Sequence, residues 1–170
     1  MAGAGVAVIL VGHGAPPEDF PAARLQEFFA LSGRKRGDAA VLSQWLALDR
    51  EIREWPRTPA NDPYHAGLAE LARRVATESG FSVRIAFNEF CGPTLAEAVD
   101  RAVQEGFGGV VVVPSMITLG GSHSENEIPE ELAKVRAQHP HLRLVYAWPF
   151  DPGSLARFFA DHLRKAVGGA

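Results

Sequence analysis

Two histidines and a glutamate stand where chemistry could be done. His13 lies in VILVGHGAP and His123 in VVVVPSMITLGGSHSENEIPEEL, each in a glycine-bearing turn that follows a run of consecutive β-branched residues. Such runs read as strands buried on both faces of a parallel sheet. Glu89, in IAFNEFCGPTL, sits two residues beyond a third apolar run and just ahead of a proline. In a parallel α/β sheet the ligand crevice lies outside the carboxyl ends of the strands. Imidazoles placed on that rim can converge on a metal or pass protons to a shared ligand. Together with carboxylates they suit borderline divalent ions such as Fe²⁺, Co²⁺, Ni²⁺ and Zn²⁺.

Each residue also has a plainer reading: His13 as a hydrogen-bonded loop histidine, Glu89 as a solvated loop carboxylate. Gly12 and Gly14 let the backbone turn tightly and approach a ligand. A phosphate cradle does not fit, because VGHGAPP lacks the GxGxxG and GxxxxGK[ST] patterns and Pro16 and Pro17 remove two amide donors. A histidine phosphatase would carry arginine before the histidine, and Gly12 stands there. Most of Glu125, Glu127, Glu130 and Glu131 read as charge at a helix N-terminus. Glu127 has the better claim to orienting a histidine ring. Cys91 reads as a buried, inert thiol, and His65, His139, His141 and His162 as surface histidines.

The elements that must position these groups are legible as alternating patterns. Strands are expected at Val6–Val11, Val83–Phe87, Gly109–Pro114 and Leu142–Trp148. Helices are expected at Tyr64–Ser79, with Asp62 as cap, Pro63 in the first turn and Gly80 as stop, then at Pro93–Glu105, Ile128–Gln138 and Ser154–Val167. This alternation predicts an α/β fold in three layers, with a four-stranded parallel sheet of flavodoxin-like type and right-handed crossovers. One segment breaks the rhythm. Between His13 and Tyr64, residues 15–61 carry two further helical patterns, Phe20–Leu31 and Asp38–Trp55, a helical insertion on the rim of His13 and a candidate lid. The alternative is a helical pair that only extends the core or forms a subunit contact.

At 170 residues and 46% hydrophobic content, one domain over residues 1–170 is the expectation. A formal charge of −3 gives no bulk attraction for nucleic acid. The single cysteine excludes an intrachain disulfide and a CxxC framework, which fits a reducing cytoplasm. The opening MAGAGVAVILVGHG lacks a basic n-region and reads as the first strand rather than a signal peptide or a membrane span.

The VGHG turn, AFNEFCGPTLAEAV and VVVVPSMITLGGSHSENEIPEEL together resemble the class II chelatases of tetrapyrrole synthesis, above all the short sirohydrochlorin cobaltochelatases and ferrochelatases. That family shows an HG turn after strand one, an FxE segment followed by proline, and a GxH-x(3)-[DE]IP segment, all in this order. The resemblance implies that His13, Glu89 and His123 are the metal-binding and catalytic, proton-accepting residues. It implies insertion of Co²⁺ or Fe²⁺ into sirohydrochlorin or a related tetrapyrrole, by a lyase needing no nucleotide, in cobalamin or sirohaem biosynthesis. It also implies a homodimer with no nucleic-acid or membrane partner. Residues 15–61 depart from the short family members. There Phe28, Phe29, Trp45 and Trp55 could stack on the macrocycle, and Arg34, Lys35 and Arg36 could meet its carboxylates. Two other readings stay open: a carrier of metal or tetrapyrrole with the same fold, and an unrelated flavodoxin-like domain with structural histidines.

Overall fold

The computed structural model describes residues 5–35 and 37–169. Four strands form one sheet: β1 (Val6–Gly12), β2 (Ser82–Phe87), β3 (Gly109–Pro114) and β4 (Arg143–Tyr146). Every pairing is parallel and the spatial order is β2-β1-β3-β4. The helices are α1 (Ala22–Ser32), α2 (Ala39–Glu54), α3 (Pro63–Ser79), α4 (Leu95–Gln104), α5 (Ile128–Gln138) and α6 (Pro152–Gly168). The expected α/β architecture is the observed one, with α1 and α2 inserted between β1 and α3.

The core follows from strand alternation. Ala7, Ile9 and Val11 of β1, with Val110 and Val112 of β3, meet Leu95, Ala98, Val99 and Ala102 of α4 and Ile128, Leu132 and Val135 of α5. On the opposite face Leu10 packs with Leu68 and Ala72 of α3 and with Phe87. A separate cluster holds α1 and α2 together through Phe28, Leu31, Val41, Leu48 and Ile52, and Phe90 of the Glu89 loop is buried in it. The insertion therefore has its own small core, joined to the sheet at the loop that carries Glu89.

Local chemistry sets the helix ends. Asp62 accepts from the His65 N–H and Gly80 closes α3 in the left-handed conformation. Asp38 and Asp151 cap α2 and α6 in the same way. Helix α4 begins later than its proline suggests. Thr94 and Glu97 form a reciprocal capping box, so Pro93 stands outside the helix and Leu95 opens it. Strand β4 is shorter than its apolar run, because its pairing with β3 ends at Tyr146 opposite Val112.

Candidate metal centre

The sheet order places the site. The chain leaves β1 for β2 on one side and returns to β3 on the other, so the β1 and β3 ends flank a topological switch point. His13 follows β1 directly, and His123 lies beyond β3 in a five-residue π-helical turn, His123–Glu127, that runs straight into α5. Glu89 follows β2.

Parallel pairing continues past the strand ends. The Asn88 N–H donates to the Gly12 carbonyl (2.9 Å) and the Glu89 N–H to the His13 carbonyl (2.8 Å), which sets His13 beside Glu89. The His13 N–H in turn donates to the Tyr64 hydroxyl at the start of α3 (2.9 Å). One donor atom each from His13, Glu89 and His123 lies within 4.8 Å of the others, and all three residues are half-buried. His13 Nε2 stands 3.7 Å from Glu89 Oε2, and the two imidazole rings meet edge to face with centroids 4.7 Å apart.

The tautomers follow from the partners. His13 Nδ1 lies 2.8 Å from the Gly14 carbonyl, which can only accept, so Nδ1 carries the proton and Nε2 keeps its lone pair. His123 Nδ1 lies 2.9 Å from Glu127 Oε2 and 2.7 Å from Asn88 Nδ2. The charged carboxylate is the stronger partner, so Nδ1–H donates to Glu127 and Nε2 of His123 is again the basic nitrogen. Asn88 Nδ2 donates to the same carboxylate (2.9 Å) and the Ser122 hydroxyl to its other oxygen (3.2 Å). Burial pushes the Glu127 carboxyl up, but the bonds from Asn88, His123 and Ser122 outweigh it and hold it below the usual range. Two imidazoles with free Nε2 atoms and one carboxylate form a donor set suited to a borderline divalent ion, with coordination positions left open.

Residues of the insertion that sequence patterns did not single out shape this centre. Arg53 of α2, held by Asp49 (2.8 Å), donates to the carbonyls of Cys91 (3.0 Å) and Asn88 (3.1 Å). Arg57 donates to the carbonyls of Ala15 (2.8 Å), Ile52 (2.8 Å) and Phe90, and pairs with buried Asp62 at 2.6 Å. These two cations take up free carbonyls of both loops that carry His13 and Glu89. An arginine four residues after another at a helix end is the only trace this leaves in sequence. On the other side, the Tyr146 hydroxyl donates to the carbonyl of buried Ser124 (2.8 Å) and pins the turn that carries His123.

Several expectations need correction. Phe28 and Trp55 are taken up inside the insertion, Phe28 stacking on Trp45 and Trp55 meeting Phe20 and donating to Asp19, while Trp45 donates to Ser32 and lines an open groove with Asp49, Arg53 and Pro93. Phe29 alone of the four is exposed. Lys35 lies over the Trp45 ring, its Nζ 3.2 Å from the centroid, Arg34 is exposed, and Arg36 lies outside the described residues. His65 is no surface histidine, since it is half-buried and stacks on Phe87 with centroids 5.2 Å apart. Nor is His139, whose Nε2 meets Asp100 of α4 at 2.6 Å. His141 and His162 are exposed. Glu125 serves its own loop, accepting from the Gly120 N–H (2.7 Å).

An open parallel sheet with two histidines and a carboxylate converging at its carboxyl rim makes this an α/β protein with a candidate metal site. The chain belongs to the CbiX family, whose model matches residues 60–165. It is 29% identical over 130 residues to the sirohydrochlorin cobaltochelatase of Methanopyrus kandleri, a match covering 62% of this chain and 90% of that one. It is 32% identical over 84 residues to the sirohydrochlorin ferrochelatase of Bacillus subtilis (strain 168), covering 49% of this chain but only 32% of that longer protein. The crystal structure of a CbiX protein from Marinobacter aquaeolei VT8 shares the fold, with TM-score 0.59, 17% identity and coverage of 97% of this chain and 99% of that one. No described helix is long and apolar enough to cross a membrane.

Proposed function

We propose that this chain is an ATP-independent chelatase that inserts Co²⁺ or Fe²⁺ into sirohydrochlorin or a related tetrapyrrole, acting as a cytoplasmic homodimer. The observation that carries the reading is the convergence of His13, Glu89 and His123 within 4.8 Å at the sheet's carboxyl rim. The names of the relatives agree with it.

The chemistry asks for two things. A divalent ion must be held by few enough ligands to be given up, and the macrocycle must lose two pyrrole protons as the ion enters. Three donors with open positions meet the first demand, where a closed four-ligand cage would trap the ion. For the second, imidazole is a base of near-neutral strength. His13 presents Nε2 beside Glu89, and both side chains are about two-fifths exposed (41% and 40%), so a proton taken up there can pass to water. The Glu127 carboxylate on Nδ1 of His123 fixes that ring's direction. The insertion, tied to both loops by Arg53 and Arg57, stands as a fixed wall beside the centre rather than a free lid.

The test is visible absorption of sirohydrochlorin with sub-stoichiometric protein and Co²⁺ or Fe²⁺, for the wild type and His13→Ala. Multiple turnovers above the uncatalysed rate, lost in the variant, support the reading. A single stoichiometric spectral change would make the protein a carrier, and no change with either metal would overturn the assignment.

A further inference from the structure

Phe90 stands between the metal centre and the insertion, and its backbone is under strain. Among the described residues it is the one non-glycine residue with positive φ, at +57°. The Cys91 N–H donates back to the Glu89 carbonyl (2.6 Å), so residues 89–91 close a γ-turn centred on Phe90. With positive φ this is the rare and strained form of that turn. A bulky side chain disfavours the left-handed region, because its Cβ crowds the following carbonyl. Backbone of this kind persists only where the surroundings over-determine it, and such positions cluster at ligand sites.

Phe90 is held from both sides. Its ring is buried in the core that joins α1 and α2, and it meets Phe28 and Phe29 edge-on with centroids 5.8 and 6.1 Å away. Arg57 takes the Phe90 carbonyl and Arg53 the Cys91 carbonyl. On the sheet side, the Glu89 N–H is bonded to the His13 carbonyl, and Gly14 lies against the Glu89 carbonyl. Relaxing Phe90 to an ordinary φ would rotate the peptide planes that these bonds fix. The rotation would carry the ring out of the insertion core, or swing Glu89 away from His13, whose Nε2 now stands 3.7 Å from the carboxylate.

We propose that Phe90 is a positioning residue of the metal centre: its ring, locked in the core of the insertion, keeps the 89–91 turn wound, and the wound turn directs the Glu89 carboxylate at His13. This rests on the reading of His13, Glu89 and His123 as a metal centre. It gives the insertion a task in the chemistry without any contact to the ion. The packing of α1 on α2 offsets the strain at Phe90, and the centre gains a carboxylate fixed beside an imidazole before the ion arrives.

The test is Co²⁺ titration of the intact chain, read by the visible absorption of the bound ion, for the wild type, Phe90→Ala, Phe90→Gly, Glu89→Gln and Phe90→Ala with Glu89→Gln. Far-UV circular dichroism checks that each variant is folded. Phe90→Ala keeps the strained backbone and loses what held it. Its Co²⁺ affinity is expected to fall by about 10-fold or more, with the absorption moving toward that of Glu89→Gln. Phe90→Gly loses the same ring but accepts positive φ, so it is expected to recover most of that affinity. The double variant is expected to bind no more weakly than Glu89→Gln alone, because both changes remove one interaction. Should truncation unfold the insertion, Phe90→Leu and Phe90→Ile ask the same question at nearly constant volume. Isoleucine, being β-branched, resists positive φ and is expected to bind Co²⁺ more weakly than leucine. Equal affinities within either pair, or additive losses in the double variant, would overturn the role of the turn while leaving the metal centre intact. A wild type that binds no Co²⁺ would overturn both.

Discussion

Gly14 and Glu89 meet backbone to backbone: a Cβ on Gly14 would stand 1.9 Å from the Glu89 carbonyl oxygen. Gly14 also has φ of +98°, which a side-chain-bearing residue rarely adopts. Gly14→Ala must therefore move the Glu89 loop away from His13, and it cannot relieve the clash by turning a side chain. We expect a stability loss of about 1–3 kcal/mol, read by denaturant unfolding, together with weakened Co²⁺ binding by isothermal titration. Wild-type metal affinity in Gly14→Ala would mean that the approach of the two loops does not build the centre.

The same loop is held from behind by arginines. Arg57 and Asp62 form a nearly buried ion pair, with side chains 8% and 1% exposed. Removing one partner strands a charge that burial has separated from water. Arg57→Ala should cost about 3–5 kcal/mol, with His13 and Glu89 losing their common anchor. Arg53→Ala removes bonds only to the carbonyls of Asn88 and Cys91 beyond its partner Asp49. We expect it to remain folded and to lose metal affinity more than stability. Equal affinities for wild type and Arg53→Ala would show that the Glu89 loop keeps its shape unaided.

What sequence could reveal here divides along physical lines. Strand runs, caps and glycine stops are local, and they placed β1 to β3 and α3 to within a residue or two of the observed bounds. The rim position of His13, Glu89 and His123 follows from those strands and one topological rule. What stayed hidden is the partner of each polar side chain. Arg57 reaches carbonyls at Ala15 and Phe90, 42 and 33 residues away in sequence, and no periodicity encodes such a reach. The insertion's aromatics misled for a related reason. An amphipathic pattern tells which face is apolar but not what covers it, and Phe28 is buried against Trp45 inside the insertion.

Glu127 offers a measurement of how much direction matters at this centre. Glu127→Gln keeps the length of the side chain but replaces the charged acceptor of His123 Nδ1–H with a neutral amide. The ring loses its charged acceptor and with it the preference for one tautomer. Co²⁺ affinity should fall by about 10- to 100-fold while the unfolding midpoint stays close to wild type, because Glu127 is partly exposed. An unchanged affinity would show that the charge on Glu127 does not direct His123.

Cys91 gives a prediction that involves no metal. Its side chain packs with Leu68, Ala72 and Phe87, and burial pushes the thiol up to about 11. Only the thiolate attacks disulfide reagents, so the native protein at pH 8 should react far more slowly than the unfolded chain, whose thiol ionises near the ordinary value of 9.0. The sign of the linkage follows. A raised acid holds its proton more tightly in the folded state, so its contribution to stability is complete below pH 9 and fades as pH climbs toward 11. Cys91→Ser removes that dependence, and the difference between wild-type and variant stability should shrink across this window. Rapid labelling of native wild type at pH 8, at the rate of the denatured chain, would mean that the loop between Phe87 and Pro93 opens freely.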